Sequence, residues 1–281
     1  MTHSGSVLAR REDLEVIDCE ACGFAHLNPI PEVDADYYRA EFWQKTKPGS
    51  REVILKEANW WRMTYRDWLS LIPAPGNRIV DVGCGYGMFI ETARVEGWDC
   101  VGVEPSDEAR MNGLSQCPIV SSDNPIREMN DVLSMQWLLE HLPNPEVELK
   151  RWAERLVPSG VLFLVVPQEL TSWQRRASAK SAAGNYWIHP THINYFAANS
   201  ITNLVERCGF KVWETLATYP MERWLLECDV DYPATPVAGG VCHKVVRDDE
   251  MSQARVTRLS RGRMRASIGV GRDLILIARK A

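Results

Sequence analysis

The chain has no apolar run approaching the roughly 20 residues that a bilayer span requires, and its start, Met1-Thr2-His3-Ser4-Gly5, lacks the basic-then-apolar order of a secretory leader. These absences predict a cytoplasmic protein with no membrane partner. Positive charge is also in short supply: 32 Lys and Arg against 37 Asp and Glu leave a net charge of -5. Such a balance offers no overall attraction to phosphate backbones, so no nucleic-acid partner is expected. There is no repeat at solenoid spacing and no long low-complexity tract, which excludes repeat arrays and extended linkers. No second Cys-x-x-Cys accompanies Cys19 and Cys22, and the rest of the eight cysteines stand singly, mostly in apolar stretches. That usage suits reduced thiols better than a disulfide framework.

What is present is enough for a core of ordinary size: 281 residues, 45% of them hydrophobic, including eleven tryptophans. Residues 1–50 read as an irregular N-terminal appendage with one short helix from about Asp34 to Lys45. A helix from Glu52 to Leu71 carries apolar residues at helical spacing and stops at Pro73-Ala74-Pro75-Gly76. Then strands and helices alternate. Strands are predicted at Arg78–Val82, Cys100–Glu104, Pro118–Ser121, Asp131–Met135 and the very apolar Val161–Val166, with helices between them. A polar, irregular substrate-side segment spans 168–197, followed by helix Ala198–Cys208 and strand Phe210–Leu216. Residues 219–271 form an insertion with a helix near Asp248–Arg261, and Asp273–Ala278 is the last strand. The pattern predicts an α/β, Rossmann-like, doubly wound domain over 51–281.

The loop Asp81-Val82-Gly83-Cys84-Gly85-Tyr86-Gly87 joins the first of these strands to a helix. Glycine loops in that position let backbone N–H groups approach a ligand at a helix N-terminus. A dinucleotide fingerprint would place its third small residue at Met88, whereas Gly87 comes one position early. Glu104 falls at the end of the second strand, about twenty residues on, where a carboxylate can accept both hydroxyls of a ribose.

The order Val80-Asp81-x-Gly83-x-Gly85-x-Gly87, the segment Leu139-Glu140-His141, and Pro158-Ser159-Gly160 before the buried strand together resemble class I S-adenosylmethionine-dependent methyltransferases, in particular the ubiquinone-type and polysaccharide- or natural-product-cluster enzymes. The resemblance implies a mostly parallel seven-stranded sheet whose last strand is antiparallel. It implies S-adenosylmethionine as cofactor, with Asp81 near its ammonium group, Gly83, Gly85 and Gly87 around its methionine portion, and Glu104 on its ribose. Pro105 and Ser106 would lie along the ribose and adenine edge, Asp123 would reach the adenine, and Gln136 would sit on the rim.

The expected reaction is methyl transfer to a small-molecule hydroxyl, with a histidine accepting the proton. His192 and His141 are the first candidates and His189 the third, since all follow strands at the expected active-site edge. Tyr38, Trp43, Trp187 and Tyr195 are candidate substrate contacts. Arg258, in the run Arg255 to Arg265, is a candidate for a phosphate on a nucleotide-linked or carrier-bound sugar. An amine or carbon acceptor, a nicotinamide-dependent oxidoreductase and a non-catalytic cofactor-binding protein remain as alternatives. Cys19-x-x-Cys22-Gly23 resembles half of a small zinc ribbon found ahead of some methyltransferases. With His26 as the only further ligand in view and four ligands needed, it reads as a metal-free vestige, so no zinc is expected.

Overall fold

The computed structural model describes residues 3–32, 36–123, 126 and 128–281. Its first element is an antiparallel meander, β1 (Gly5–Arg11), β2 (Leu14–Cys19) and β3 (Phe24–Leu27), where irregular chain was expected. Length and pattern explain the difference. β3 has four residues, all buried, so it shows no alternation, and β1 is an edge strand with no buried residue. Tyr37–Thr46 winds as a π-helix rather than the expected α-helix, whose start at Asp34 lies outside the described residues. Two helices, α1 (Ser50–Lys56) and α2 (Ala58–Leu69), replace the single one expected, and α2 buries Tyr65, Trp68 and Leu69.

From there the alternation follows the sequence closely: β4 (Arg78–Val82), α3 (Met88–Val95), β5 (Asp99–Val103), α4 (Asp107–Met111), β6 (Ile119–Val120), β7 (Asn130–Gln136), α5 (Pro145–Ala153) and β8 (Leu156–Pro167). The expected irregular stretch contains α6 (Ser172–Lys180) and β9 (Asn194–Tyr195), and α7 (Ala198–Arg207) leads into β10 (Phe210–Ala217). The insertion is almost wholly helical, with α8 (Glu222–Cys228), α9 (Pro236–Ser252) and α10 (Arg255–Ser267) before β11 (Asp273–Lys280). The single helix expected at Asp248–Arg261 straddles the break between α9 and α10.

The main sheet has seven strands in the order β10-β11-β8-β7-β4-β5-β6. β11 runs antiparallel to both neighbours, while β4 to β8 pair in parallel. Val161 through Val166 of β8 are all 0% exposed, as the unbroken apolar run demands of a strand covered on both faces. Its even-numbered side chains pack with α5 and α7 and its odd-numbered ones with α2 and α3. Each such side chain contributes about 1.5 to 3 kcal/mol by leaving water. A smaller core lies elsewhere: β3 pairs with β9, and Val16, Ala25 and Leu27 pack against Trp187, Ile188 and Tyr195. The N-terminal sheet therefore braces the segment that overhangs the carboxyl edge of the main sheet.

The arginine run is engaged in ion pairs and stacking within the insertion and its neighbours. Asp67 on α2, 4% exposed, accepts from Arg255 Nε at 3.0 Å and from Arg258 Nε and Nη2 at 2.6 and 3.0 Å. Arg263 pairs with Glu214 at 2.7 Å, Arg261 lies 3.5 Å from Asp249, and Arg265 stacks over Tyr219. The expected phosphate contact at Arg258 is thus replaced by a structural ion pair tying α10 to α2. Arg258→Ala leaves a buried carboxylate with half its partners, so denaturant unfolding should show a loss of about 3 kcal/mol. An unchanged unfolding midpoint would contradict this role.

Candidate active site

β4 carries Ile79, Val80 and Val82 into the core and delivers Asp81, 3% exposed, to the carboxyl edge of the sheet. The chain then turns sharply, with Gly83, Gly85 and Gly87 all at positive φ. Close approach adds to that requirement. A Cβ on Gly85 would stand 3.1 Å from the Trp43 ring, and one on Gly87 2.9 Å from Ile119. Glu104, directly after β5, accepts the Gly85 N–H through Oε2 at 2.9 Å and the Ser106 N–H through Oε1 at 3.0 Å. Burial pushes its carboxyl up, and those two donors partly offset the shift.

Around this loop lies a cavity of about 650 Å³, within the range of roughly 300–1,000 Å³ typical of small-molecule sites. Asp81, Gly83, Gly85, Gly87, Glu104, Pro105 and Gln136 line it, as do Tyr38 and Trp43 of the π-helix and Trp187, His141, His189 and His192. Four of the expected residues do not. Ser106 is 2% exposed and its hydroxyl accepts the Ala109 N–H at 3.3 Å, capping α4. Asp123 is exposed and pairs with Arg39 of the π-helix at 2.9 Å. Tyr195 is fully buried, its hydroxyl bridging the backbone N–H and carbonyl of His189, both at 3.2 Å. Arg258 is held by Asp67. Short polar side chains beside strand ends cap helices or hold loops as readily as they touch ligands, and spacing alone does not separate the two uses.

Residues lining the cavity bury polar atoms without partners among the described residues, the donors Trp43 Nε1 and Trp61 Nε1 among them. The acceptors Asp81 Oδ1, Gln136 Oε1, Glu140 Oε2 and Gln168 Oε1, all on residues that line the cavity, are likewise buried with no hydrogen-bond partner among the described residues. Each costs about 1 to 3 kcal/mol while unpaired. A ligand carrying positive charge and N–H or O–H groups would satisfy them. Burial raises Asp81 to about 7, with Glu104 adding to the shift, and raises Glu140 and Glu169 each to about 8. Gln168, Glu169, Glu222, Lys47 and Arg272 also line the cavity and were missed in the sequence. For Gln168 and Glu169 a signal existed: they directly follow the fifth strand, the same kind of position that marks Glu104.

The three histidines meet on one wall. His141 donates from Nδ1 to the Thr191 carbonyl at 2.7 Å, which leaves Nε2 unprotonated, 3.9 Å from Glu140 Oε1. His192 packs edge-on to it at 5.0 Å and lies 5.3 Å from His189. His189 Nδ1 accepts from the Thr191 N–H at 3.3 Å and sits 2.9 Å from its hydroxyl, so its proton resides on Nε2. Burial lowers all three, His141 to about 4, so each imidazole is neutral at pH 7.

Fold and site define a class I S-adenosylmethionine-dependent methyltransferase. Residues 60–215, more than half of the chain, match the methyltransferase domain family, and the chain belongs to it. It is 25% identical over 236 residues to a ubiquinone biosynthesis O-methyltransferase of Bradyrhizobium diazoefficiens, covering 72% of this chain and 89% of that enzyme. With the enzyme of the same description from Shewanella halifaxensis it shares 31% over 101 residues, 31% of this chain and less than half (42%) of the relative. Among solved structures, a SAM-dependent methyltransferase from Archaeoglobus fulgidus superposes with a TM-score of 0.54 over 82% of this chain and 99% of its own, at 18% identity, a likeness of fold.

The buried carboxyls have a measurable consequence. Their folded pKa values lie above those of the unfolded chain, so between about pH 4 and 8 the unfolded state holds fewer protons and stability falls as pH rises. Glu140→Gln removes one such group. The variant should unfold at higher denaturant than the parent at pH 8 and at nearly the same concentration at pH 4; a lower midpoint at pH 8 would refute the assignment of Glu140 as a buried, unpaired acid.

Proposed function

We propose that the chain transfers a methyl group from S-adenosylmethionine to a hydroxyl of a sugar or specialised metabolite, with a cavity histidine taking the hydroxyl proton. The observation that carries this reading is the set of buried, donor-less acceptors at the carboxyl edge of the sheet. When bound, the cofactor supplies a methyl group already activated by a positively charged sulfonium. Asp81 and Gln136 present free oxygens for its ammonium end. Glu104 uses one lone pair on each oxygen for the backbone and keeps the others for ribose hydroxyls. Trp43 and Tyr86, 4.8 Å apart over the glycine loop, offer aromatic faces that attract a cation. Ser106 and Asp123 contribute indirectly, the first through the α4 cap and the second by anchoring the π-helix through Arg39.

The far side of the cavity fits a polyhydroxylated acceptor. Glu169 and Glu222 accept hydroxyl hydrogen bonds, while Tyr186, Trp187 and Tyr232 give apolar faces. Tyr186 and Tyr232 are themselves held by Glu222 and by each other, at 3.5 and 3.4 Å. Of the histidines, His141 is best prepared to take a proton: its Nδ1 hydrogen is fixed on Thr191 and its Nε2 lone pair is free. His189 is a hydrogen-bond donor, and His192 packs the His141 ring in place. Alignment of acceptor and donor, with water excluded by the π-helix and the 168–197 segment, supplies the rest.

Assay of a panel of sugars, phenols and amines with labelled cofactor tests this. His141→Ala should lower kcat on the accepted hydroxyl substrate by about 10² to 10⁴-fold, leave cofactor affinity unchanged, and cost more than His192→Ala. Full kcat in His141→Ala would remove the histidine base, and transfer confined to amines would remove the hydroxyl acceptor.

A further inference from the structure

The N-terminal sheet brings four metal-ligating side chains to one point, remote in sequence from the methyltransferase motifs. His3 precedes β1, Cys19 ends β2, Cys22 lies in the following turn and His26 is on β3. The turn is closed by the Gly23 N–H on the Cys19 carbonyl at 2.9 Å, with Gly23 at φ +72°, which places both thiols on one side. His3 is the ligand that sequence spacing did not reveal, because it reaches the pair by the pairing of β1 with β2 and not through any local motif.

The geometry points to a structural zinc ion bound by His3, Cys19, Cys22 and His26. His3 Nδ1 lies 3.2 Å from His26 Nε2, 3.6 Å from Cys19 Sγ and 3.4 Å from Cys22 Sγ, and all four ligand atoms fall within 4.8 Å of one another. Tetrahedral zinc with Zn–N of about 2.05 Å and Zn–S of about 2.3 Å has N–N edges of about 3.3 Å and N–S edges of about 3.6 Å. The separations match that polyhedron. The imidazole orientation matches as well: His26 Nδ1 donates to the Leu27 carbonyl at 2.8 Å, so Nε2 turns a lone pair toward the cluster, the outer hydrogen bond that metal-bound histidines ordinarily carry. Cys19 and His26 are 1% and 0% exposed, and both cysteines are free thiols. Cys2His2 ligation by four protein atoms leaves no open position, which makes the site structural.

The metal would pin β2 to β3, and β3 carries β9 on its other edge. Zinc at this end therefore stiffens the wall that holds His189 and His192, while lying outside the cavity itself.

The test uses the full chain without a polyhistidine tag, grown with zinc and exchanged into metal-free buffer. Elemental analysis should find about one zinc per chain, and cobalt exchanged into the site should show the intense visible bands and thiolate charge transfer of a tetrahedral S2N2 centre. Chelation should lower the thermal midpoint. Cys22→Ser and His3→Ala should each lose the metal and the cobalt spectrum; His3 is close to the terminus and only half-buried, so its variant remains informative if Cys22→Ser does not fold. His141→Ala should retain the metal. No retained zinc, a Cys19–Cys22 disulfide in the purified protein, undiminished metal in His3→Ala, or loss of metal in His141→Ala, which would shift the ion to the Glu140, His141 and His192 cluster, would each overturn the proposal.

Discussion

The site depends on carboxyl groups kept out of water at the ends of parallel strands. Asp81, Glu104 and Glu140 follow or end β4, β5 and β7, and Glu169 follows β8, and each is at least nine-tenths buried. The strands themselves leave no choice, since their side chains are consumed by the two core layers and only the residues at their carboxyl ends project into the cavity. Isolated in this way, the acids are pushed toward neutrality, and Asp81 Oδ1 and Glu140 Oε2 are left without donors among the described residues. That arrangement costs stability. A cationic, hydrogen-bond-donating ligand such as the proposed cofactor would offset that cost.

The second organising feature is the way the two ends of the site are closed. The π-helix covers the glycine loop with Trp43 and reaches back to the sheet through Arg39 and Asp123. Opposite it, the segment from Gln168 to Phe196 is held by three unrelated contacts: β9 against β3, the Tyr195 hydroxyl on the backbone of His189, and Thr191 on His141. The histidine wall is thus rigid because the N-terminal sheet supports it from behind. A zinc ion at the far end of that sheet, as proposed, would extend the same bracing to the first residues of the chain.

The strands of the main sheet were legible in the sequence, although β8 begins at Leu156 and takes in Pro158-Ser159-Gly160, which reads as a stop before Val161. The strands are long apolar runs or end in motif residues, and alternation with helices leaves few topologies. The N-terminal sheet was not, because its edge strand is half exposed, its third strand has four residues, and its fourth comes from beyond residue 190. The place of the glycine loop and Glu104 on the cavity was readable from spacing, since it depends on local backbone geometry. Asp123, Tyr195 and Arg258 were misplaced for the opposite reason: their partners, Arg39, His189 and Asp67, lie in elements whose packing no local pattern encodes. His3 escaped notice in the same way, and so did the break between α9 and α10, after which Arg258 reaches the buried Asp67.

The most direct measurement is the pH dependence of S-adenosylmethionine affinity, by calorimetry, in the parent and in Asp81→Asn. Burial pushes the Asp81 carboxyl up to about 7, and a cation selects its ionised form. Affinity should therefore rise about tenfold between pH 6 and pH 8, with proton release on binding below pH 7, and the Asn variant should bind weakly with a flatter profile. A parent affinity independent of pH, or an Asn variant that binds as tightly as the parent, would contradict the proposal that buried acceptors at the strand ends hold the cofactor.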